Sequence, residues 1–245
     1  MYLLAFSSGI TAVSPNLVNS NHVLNSLPMP GYPPNHTMLQ PTELCLVRHG
    51  ETDWNLRSLT QGSTNVPLND TGRDQARATA ETLAEEPWDV IISSPLDRAY
   101  ETASIIAQST GFDDTNIVVD SDLVERGYGA AEGISAQERK QRYPDKVIPG
   151  AEPWDSVHTR VMRSMRRIAT AYAGKRVIVV SHGGAILNIL EEVSGGKYAR
   201  GTVVLRNAGM NLLRYDGSWS VVFCNRPAGV TMNGRRAAAT TENCH

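Results

Sequence analysis

Three short apolar runs, "ELCLV", "WDVII" and "RVIVV", constrain the fold of this 245-residue chain more than any other feature, because helical patterns separate them and polar residues end them. Aliphatic runs without polar alternation are strands buried on both faces, and strands that alternate with helices build a parallel sheet. The intervening patterns fit. "LNDTGRDQARATAETLAEE" puts Ala76, Ala80, Leu83 and Ala84 on one helical face behind a cap assigned to Thr71, with Asp74 three residues on. "PLDRAYETASIIAQSTG" starts near Pro95 and stops at Gly111, and "DSVHTRVMRSMRRIATAYAG" carries Val157, Val161, Met165 and Ile168 towards Gly174. Met162 and Met165 read as core filler. "AILNILEEV" follows the third run, and Asp216-Gly217 in "MNLLRYDGSWSVVFC" marks a hairpin at a sheet edge. The pattern predicts an α/β three-layer sandwich: a mostly parallel central sheet, helices on both faces and an antiparallel edge strand.

The flanks are different. Met1 to Thr42 contains no Asp, Glu, Lys or Arg and is rich in Ser, Asn and Pro, so residues 1–42 are expected to be a disordered extension. It lacks the basic start and continuous apolar core of a secretory signal, which makes the sequon "NHT" at Asn35 a chance match, and Met38 is an alternative start. Residues 43–224 are expected to form the folded domain, and 225–245, without periodicity, a flexible tail.

A net charge of −2 gives no overall field for nucleic acid or anionic lipid, so any anion must be held by local arginines. Cys45, Cys224 and Cys244 are odd in number and without a CxxC pair, which fits a reducing compartment. No run approaches the length of a bilayer span. The expectation is a cytoplasmic protein with no nucleic-acid or membrane partner; a plastid address and a homodimer are left open.

The strand ends carry the chemistry. "ELCLV" runs straight into Arg48 and His49, "WDVII" into "SSPLDR" with Arg98, and "RVIVV" into Ser181, His182, Gly183 and Gly184. In open α/β sheets ligands bind beyond the carboxyl ends of the strands, where helix N-termini present free amides. Two guanidinium forks, two imidazoles and such amides suit a tetrahedral dianion, and a neutral imidazole can accept a phosphoryl group. The leaving alkoxide then needs a proton, for which the carboxyl groups of "VDSDLVERGYGAAEG" are candidates. Singly each residue has a plainer reading: Arg98 as a helix-surface charge, His182 as a turn residue, Glu125 as a solvated loop acid. Their order on three strand ends favours one site.

"LVRHGETDWN", "TQG", "PLNDTGRDQA", "SSPLDRAYETA", "LVERGYGAAEG" and "VVSHGG" together resemble the phosphoglycerate mutase-like branch of the histidine phosphatase superfamily, from about Leu44 to about Phe223. The resemblance implies that His49 is the phosphorylated nucleophile, that Arg48, Arg98, His182 and Gly183 belong to the phosphate cage, and that Asn55 hydrogen-bonds a phosphate oxygen. It implies Glu125 as proton donor, and Thr60, Gln61 and Gly62 as contacts to the rest of the substrate; among the other acids of that stretch, Glu132 or Asp122 is next in line for the proton. It implies no metal and no cofactor, and a small phosphorylated metabolite as substrate.

Several departures from the mutase pattern narrow the activity. The segment from Gly133 to Trp154 is short, and the second histidine stands in "SHGGAI", as in the family's monophosphatases. Leu59 and Leu187 stand where many members have arginine. Arg139, Lys140 and Arg142 read as a solvated helix face. The expectation is a metal-independent phosphomonoesterase; the alternatives are a 2,3-bisphosphoglycerate-dependent mutase and, outside catalysis, a phospho-ligand or protein-interaction module.

Overall fold

Leu44, Cys45, Leu46 and Val47 have no exposed surface, and neither do Val177 to Val180. Such strands cannot alternate in polarity, because helices cover both of their faces. The computed structural model describes residues 40–232. In chain order its elements are β1 (Thr42–Arg48), α1 (Asp53–Leu56), α2 (Asp70–Ala84), β2 (Val90–Ser93), α3 (Asp97–Thr110), β3 (Val118–Val119), α4 (Ala136–Arg142), α5 (Trp154–Ala171), β4 (Arg176–Ser181), α6 (Gly183–Val193), β5 (Met210–Tyr215) and β6 (Trp219–Arg226). The strands form one sheet in the order β3-β2-β4-β1-β5-β6. The first four are mutually parallel, and β5 runs antiparallel to both β1 and β6, so the expected mixed α/β sheet is found with its hairpin at one edge.

Two cores sandwich the sheet. On one face Leu44, Leu46, Val177 and Val179 meet Val157, Val161, Met165 and Ile168 of α5 and Ile186 and Ile189 of α6. On the other, Cys45, Val47, Ile178 and Val180 meet Ala80 and Leu83 of α2 and Ala99, Ala103 and Ile106 of α3. Burial pushes the Cys45 thiol up to about 12, and Cys45 and Cys224 are both free.

Three local expectations need correction. The cap of α2 is Asn69, whose Oδ1 accepts the Gly72 amide at 2.8 Å, because Thr71 already lies within the helix. Ala84 faces solvent, and Thr79 and Thr82 share the buried face instead. The chain does not loosen at residue 225: β6 continues to Arg226, whose Nη1 donates to the carbonyls of Thr231 and Met232, and Met232 packs into the α2–α3 core. That stretch lacks periodicity because it closes a rim instead of forming an element. Thr42 already belongs to β1; residues 1–39, with Met38 and the sequon, and residues 233–245, with Cys244, lie outside the described residues.

The start of α2 fixes the loop that follows β1. Its Gly72 lies so close that an added Cβ would sit 2.1 Å from the Glu51 carbonyl oxygen, and one on Gly50 would sit 2.3 Å from the Gly72 oxygen. Gly72→Ala must therefore push α2 off this loop. Such overpacking costs roughly 1–3 kcal/mol, or a Tm lowered by about 2–12 °C for a domain of this size; an unchanged melting curve would show that the contact is slack.

Candidate active site

Parallel pairing in register brings the two histidines together. Arg48 at the end of β1 lies opposite Ser181 at the end of β4, so the next residues, His49 and His182, emerge side by side with ring centroids 5.2 Å apart. Strand β2 flanks β4 on its other side and delivers Ser94, whose hydroxyl meets His182 Nε2 at 2.8 Å. Arg98 follows within the first turn of α3 and is fully buried.

These strand ends floor a cavity of about 560 Å³ whose lining includes Arg48, His49, Asn55, Arg98, Glu125 and Gly183. Thr60, Gln61 and Gly62 form part of its wall. His182 stands behind His49 with no exposed surface. The structure thus brings Arg48, His49, Asn55, Thr60, Gln61, Gly62, Arg98, Glu125 and Gly183 to one cavity, with His182 directly behind it.

Both guanidiniums are anchored by carbonyl oxygens. Arg48 Nη1 donates to Leu205 O at 2.6 Å, and Arg98 donates through Nη1 to Thr64 O at 2.9 Å and through Nη2 to Gly62 O at 2.8 Å. Carbonyls orient a guanidinium without neutralising it. Burial lowers the pKa of Arg98 to about 10, so it stays cationic at neutral pH, and burial likewise lowers that of Arg48. Nε of each, together with His182 Nδ1, is buried without a hydrogen-bond partner among the described residues. Such donors suit a multiply charged oxyanion.

His49 Nδ1 lies 2.7 Å from the Gly50 carbonyl oxygen. A carbonyl only accepts, so Nδ1 carries the proton and Nε2 keeps its lone pair. Burial first, then Arg48 and Arg98, holds His49 well below the usual histidine range; burial and Arg98 do the same to His182. Glu125 lies against the start of α6, its Oε2 accepting the Gly184 amide at 2.9 Å and its Oε1 the Ala185 amide at 3.2 Å. A Cβ on Gly184 would fall 2.5 Å from Glu125 Oε1, so a side chain there would displace the Glu125 carboxylate. The other two acids considered are committed elsewhere. Glu132 accepts from Ser63, Thr64 and Tyr128, and Asp122 pairs with Arg163 and Arg167; neither lines the cavity.

Several residues here escaped the sequence reading. Asn207 Nδ2 donates to His49 O, Gly50 O and Asn55 Oδ1, tying the histidine loop to α1. Asn55 Oδ1 also accepts the Thr52 amide as part of a capping box, which leaves its Nδ2 for the cavity. Arg160 spends its guanidinium on the loop bearing Glu125: it donates to the carbonyls of Asp122, Val124 and Glu125 and, through Nε and Nη2, to both oxygens of Glu152. Arg139, expected on a solvated face, instead lines the cavity and donates to Thr60 Oγ1 at 3.0 Å. Arg142 pairs with Glu138 on the surface. "SSPLDR" was legible as a site segment, so Ser94 was within reach; Asn207, Arg160 and Arg139 carry no local signal.

Comparison with known proteins shows the family. Residues 44–226 match the model of the histidine phosphatase superfamily, branch 1. The chain is 42% identical over 181 residues to an uncharacterized phosphatase, PhoE, of Bacillus subtilis, spanning 74% of this chain and 92% of that one. It is 36% identical over 198 residues to a metal-independent phosphoserine phosphatase of Arabidopsis thaliana, spanning 74% and 79%. A mycobacterial glucosyl-3-phosphoglycerate phosphatase solved as a complex with VO3 superposes with a TM-score of 0.66 at 26% identity, covering 75% of this chain and 99% of that one. The chain belongs to branch 1 of the histidine phosphatase superfamily and is a phosphatase; the non-enzymatic alternative is thereby set aside. No helix among the described residues is long and apolar enough to cross a membrane.

The buried imidazoles set a pH dependence of stability. Folded, His49 and His182 resist protonation; unfolded, they protonate near 6.5. The unfolded state then binds more protons as the pH falls through that value, and stability is lost downwards from there by at most about 1.4 kcal/mol per pH unit for each histidine. The Tm should hold steady above neutrality and decline between about pH 6.5 and 5.5. His182→Asn should flatten that decline; an equal slope in both proteins would mean that the folded imidazoles titrate normally.

Proposed function

We propose that this chain is a metal-independent phosphomonoesterase that works on a small phosphorylated metabolite through a phosphohistidine on His49. The observation that carries the reading is the His49–Gly50 hydrogen bond, which fixes the tautomer and leaves Nε2 as the nucleophile. In the first step the Nε2–phosphorus bond forms as the phosphorus–ester oxygen bond breaks, and Glu125 gives its proton to the departing oxygen. In the second, water attacks phosphorus, its proton passes to Glu125, and the nitrogen–phosphorus bond breaks. Arg48, Arg98, His182, Asn55 and the Gly183 amide hold the phosphoryl oxygens throughout. Fixed cations facing charge that spreads over those oxygens supply the main barrier lowering, the part a metal plays in other phosphatases. Thr60, Gln61 and Gly62 face the remainder of the substrate.

The trapped intermediate is the direct test. Rapid quenching with labelled substrate should leave phosphate on His49 in a base-stable, acid-labile bond, absent from His49→Ala. The mutase alternative is decided in the same mixture: a phosphatase releases inorganic phosphate, whereas a mutase returns the phosphoryl to another oxygen. The connection between Gly133 and α5 is short and holds a single helix, the seven-residue α4, which supports access of water to the intermediate. Interconversion of 3- and 2-phosphoglycerate outpacing phosphate release would replace the hydrolase by the mutase.

Glu125 and its support are separable. Glu125→Gln should slow alkyl phosphates by about 10²–10⁴-fold while affecting nitrophenyl phosphate, whose leaving group departs unprotonated, far less. Because Arg160 holds the carbonyls around Glu125, Arg160→Met should reproduce that leaving-group bias at roughly 10–100-fold, and Arg160→Lys should recover part of it. Equal losses on both substrates would remove the acid role from Glu125 and the positioning role from Arg160.

A further inference from the structure

The charged residues lining the cavity are Arg48, Arg98, Arg139 and Glu125. The phosphate cage and the proton donor account for all but Arg139. Its guanidinium has no carboxylate within ion-pairing distance among the described residues, and the one side-chain hydrogen bond found for it runs from Nη1 to Thr60 Oγ1 at 3.0 Å. A guanidinium carries five donors in a planar fork, so most of its capacity is unspent.

The position is built. Ser135 bridges to Leu59, the Thr60 amide donates to Ile134 O at 3.0 Å and the Gly133 amide to Thr60 O at 2.8 Å, so α4 is stitched to the wall that carries Thr60 and Gln61. From there the Arg139 Cζ lies 5.5 Å from the centroid of the Tyr128 ring, another lining residue. Thr60 and Tyr128 thus hold the guanidinium at the cavity from two sides.

Charge balance says what it faces. When Glu125 carries the proton it hands to the leaving group, the lining has three positive side chains, and a phosphomonoester dianion neutralises two of them. One cation remains, in a wall whose other side chains, among them Leu59, Thr60, Gln61, Tyr128, Leu187 and Leu205, carry no charge. A second phosphate would bring more negative charge than that wall can match, and a neutral leaving group would leave a partly desolvated guanidinium unanswered. A single carboxylate matches both its charge and its fork.

We propose that Arg139 is a specificity-determining residue that reads a carboxylate on the leaving group, so that the site takes small phosphomonoesters bearing one carboxylate. This rests on the phosphomonoesterase reading of the cavity.

A pair of esters with one skeleton tests it: 3-phosphoglycerate carries a carboxylate where glycerol 3-phosphate carries a hydroxymethyl group. The parent enzyme should favour the first in kcat/KM by roughly 10–100-fold. Arg139→Gln should bring that ratio close to one, mainly through KM, and Arg139→Lys should restore part of it; turnover of nitrophenyl phosphate by each variant reports that it is folded. A parent ratio near one, or a ratio unchanged in Arg139→Gln, overturns the assignment. Hydrolysis of nitrophenyl phosphate without hydrolysis of either three-carbon ester also overturns it, and leaves the phosphomonoesterase reading standing. Failure on all three esters overturns that reading instead, and this one with it.

Discussion

A buried Arg98 and a half-buried Arg48, both oriented by carbonyl oxygens, are the constraint around which the rest of the site is arranged. A charge taken out of water is costly unless something answers it. Arg48 and Arg98 use Leu205, Gly62 and Thr64 carbonyls for direction, and the field of Glu125 is the largest opposing influence on both. One carboxylate cannot balance two guanidiniums. The surplus is positive charge held in a fixed geometry at the ends of three parallel strands, and it adds to burial, the larger influence, in holding both histidines well below the usual histidine range. The features that favour an oxyanion there and a nucleophilic imidazole are therefore one electrostatic arrangement.

That arrangement needs rigid surroundings, and the rigidity is layered. Behind His49, Asn207 ties two carbonyls of the histidine loop to Asn55, while Gly72 brings α2 against Glu51. Behind Glu125, Arg160 collects three carbonyls and the Glu152 carboxylate from a position on α5, and Arg126 is sandwiched with Cζ 4.7 Å from the Tyr128 ring centroid and 4.4 Å from that of Trp154. The reacting groups thus sit on loops, but the loops are fastened to helices and strands by fully used polar side chains. Precision of this kind determines whether a correctly composed site turns over.

How much of this was legible in the sequence follows from the range of the interactions. Strands β1, β2 and β4 announce themselves because burial on both faces removes polar residues from them, and Arg48, His49, Arg98 and His182 stand out because charge directly after such runs is anomalous. Strand β3, only Val118–Val119, is too short for any periodicity. The assignments of Asn207 and Arg160 were invisible for another reason: their partners lie 157 and 35 residues away, and an Asn in a loop or an Arg on an amphipathic helix has many ordinary explanations. The cap of α2 was misplaced by two residues because Asn69 and Thr71 are both good capping types, and only the Gly72 amide distinguishes them.

Arg139 shows where local reasoning stops and why. On α4 it sits among Glu138, Lys140 and Arg142, and a short helix of that composition reads as solvent-facing on every side. Its orientation is decided by the bridge between Leu59 and Ser135, which turns one face of α4 towards the cavity and leaves Arg142 to pair with Glu138 outside. The same cavity wall presents Leu59 and Leu187. A cation entering from α4, opposite a wall made largely of aliphatic side chains, redistributes the positive charge of the pocket without adding to the phosphate cage. In the reading proposed above, capture of the phosphoryl group and discrimination of what it is attached to fall to different parts of the chain: the first to strand ends fixed by the core, the second to a short helix held by a few backbone bonds.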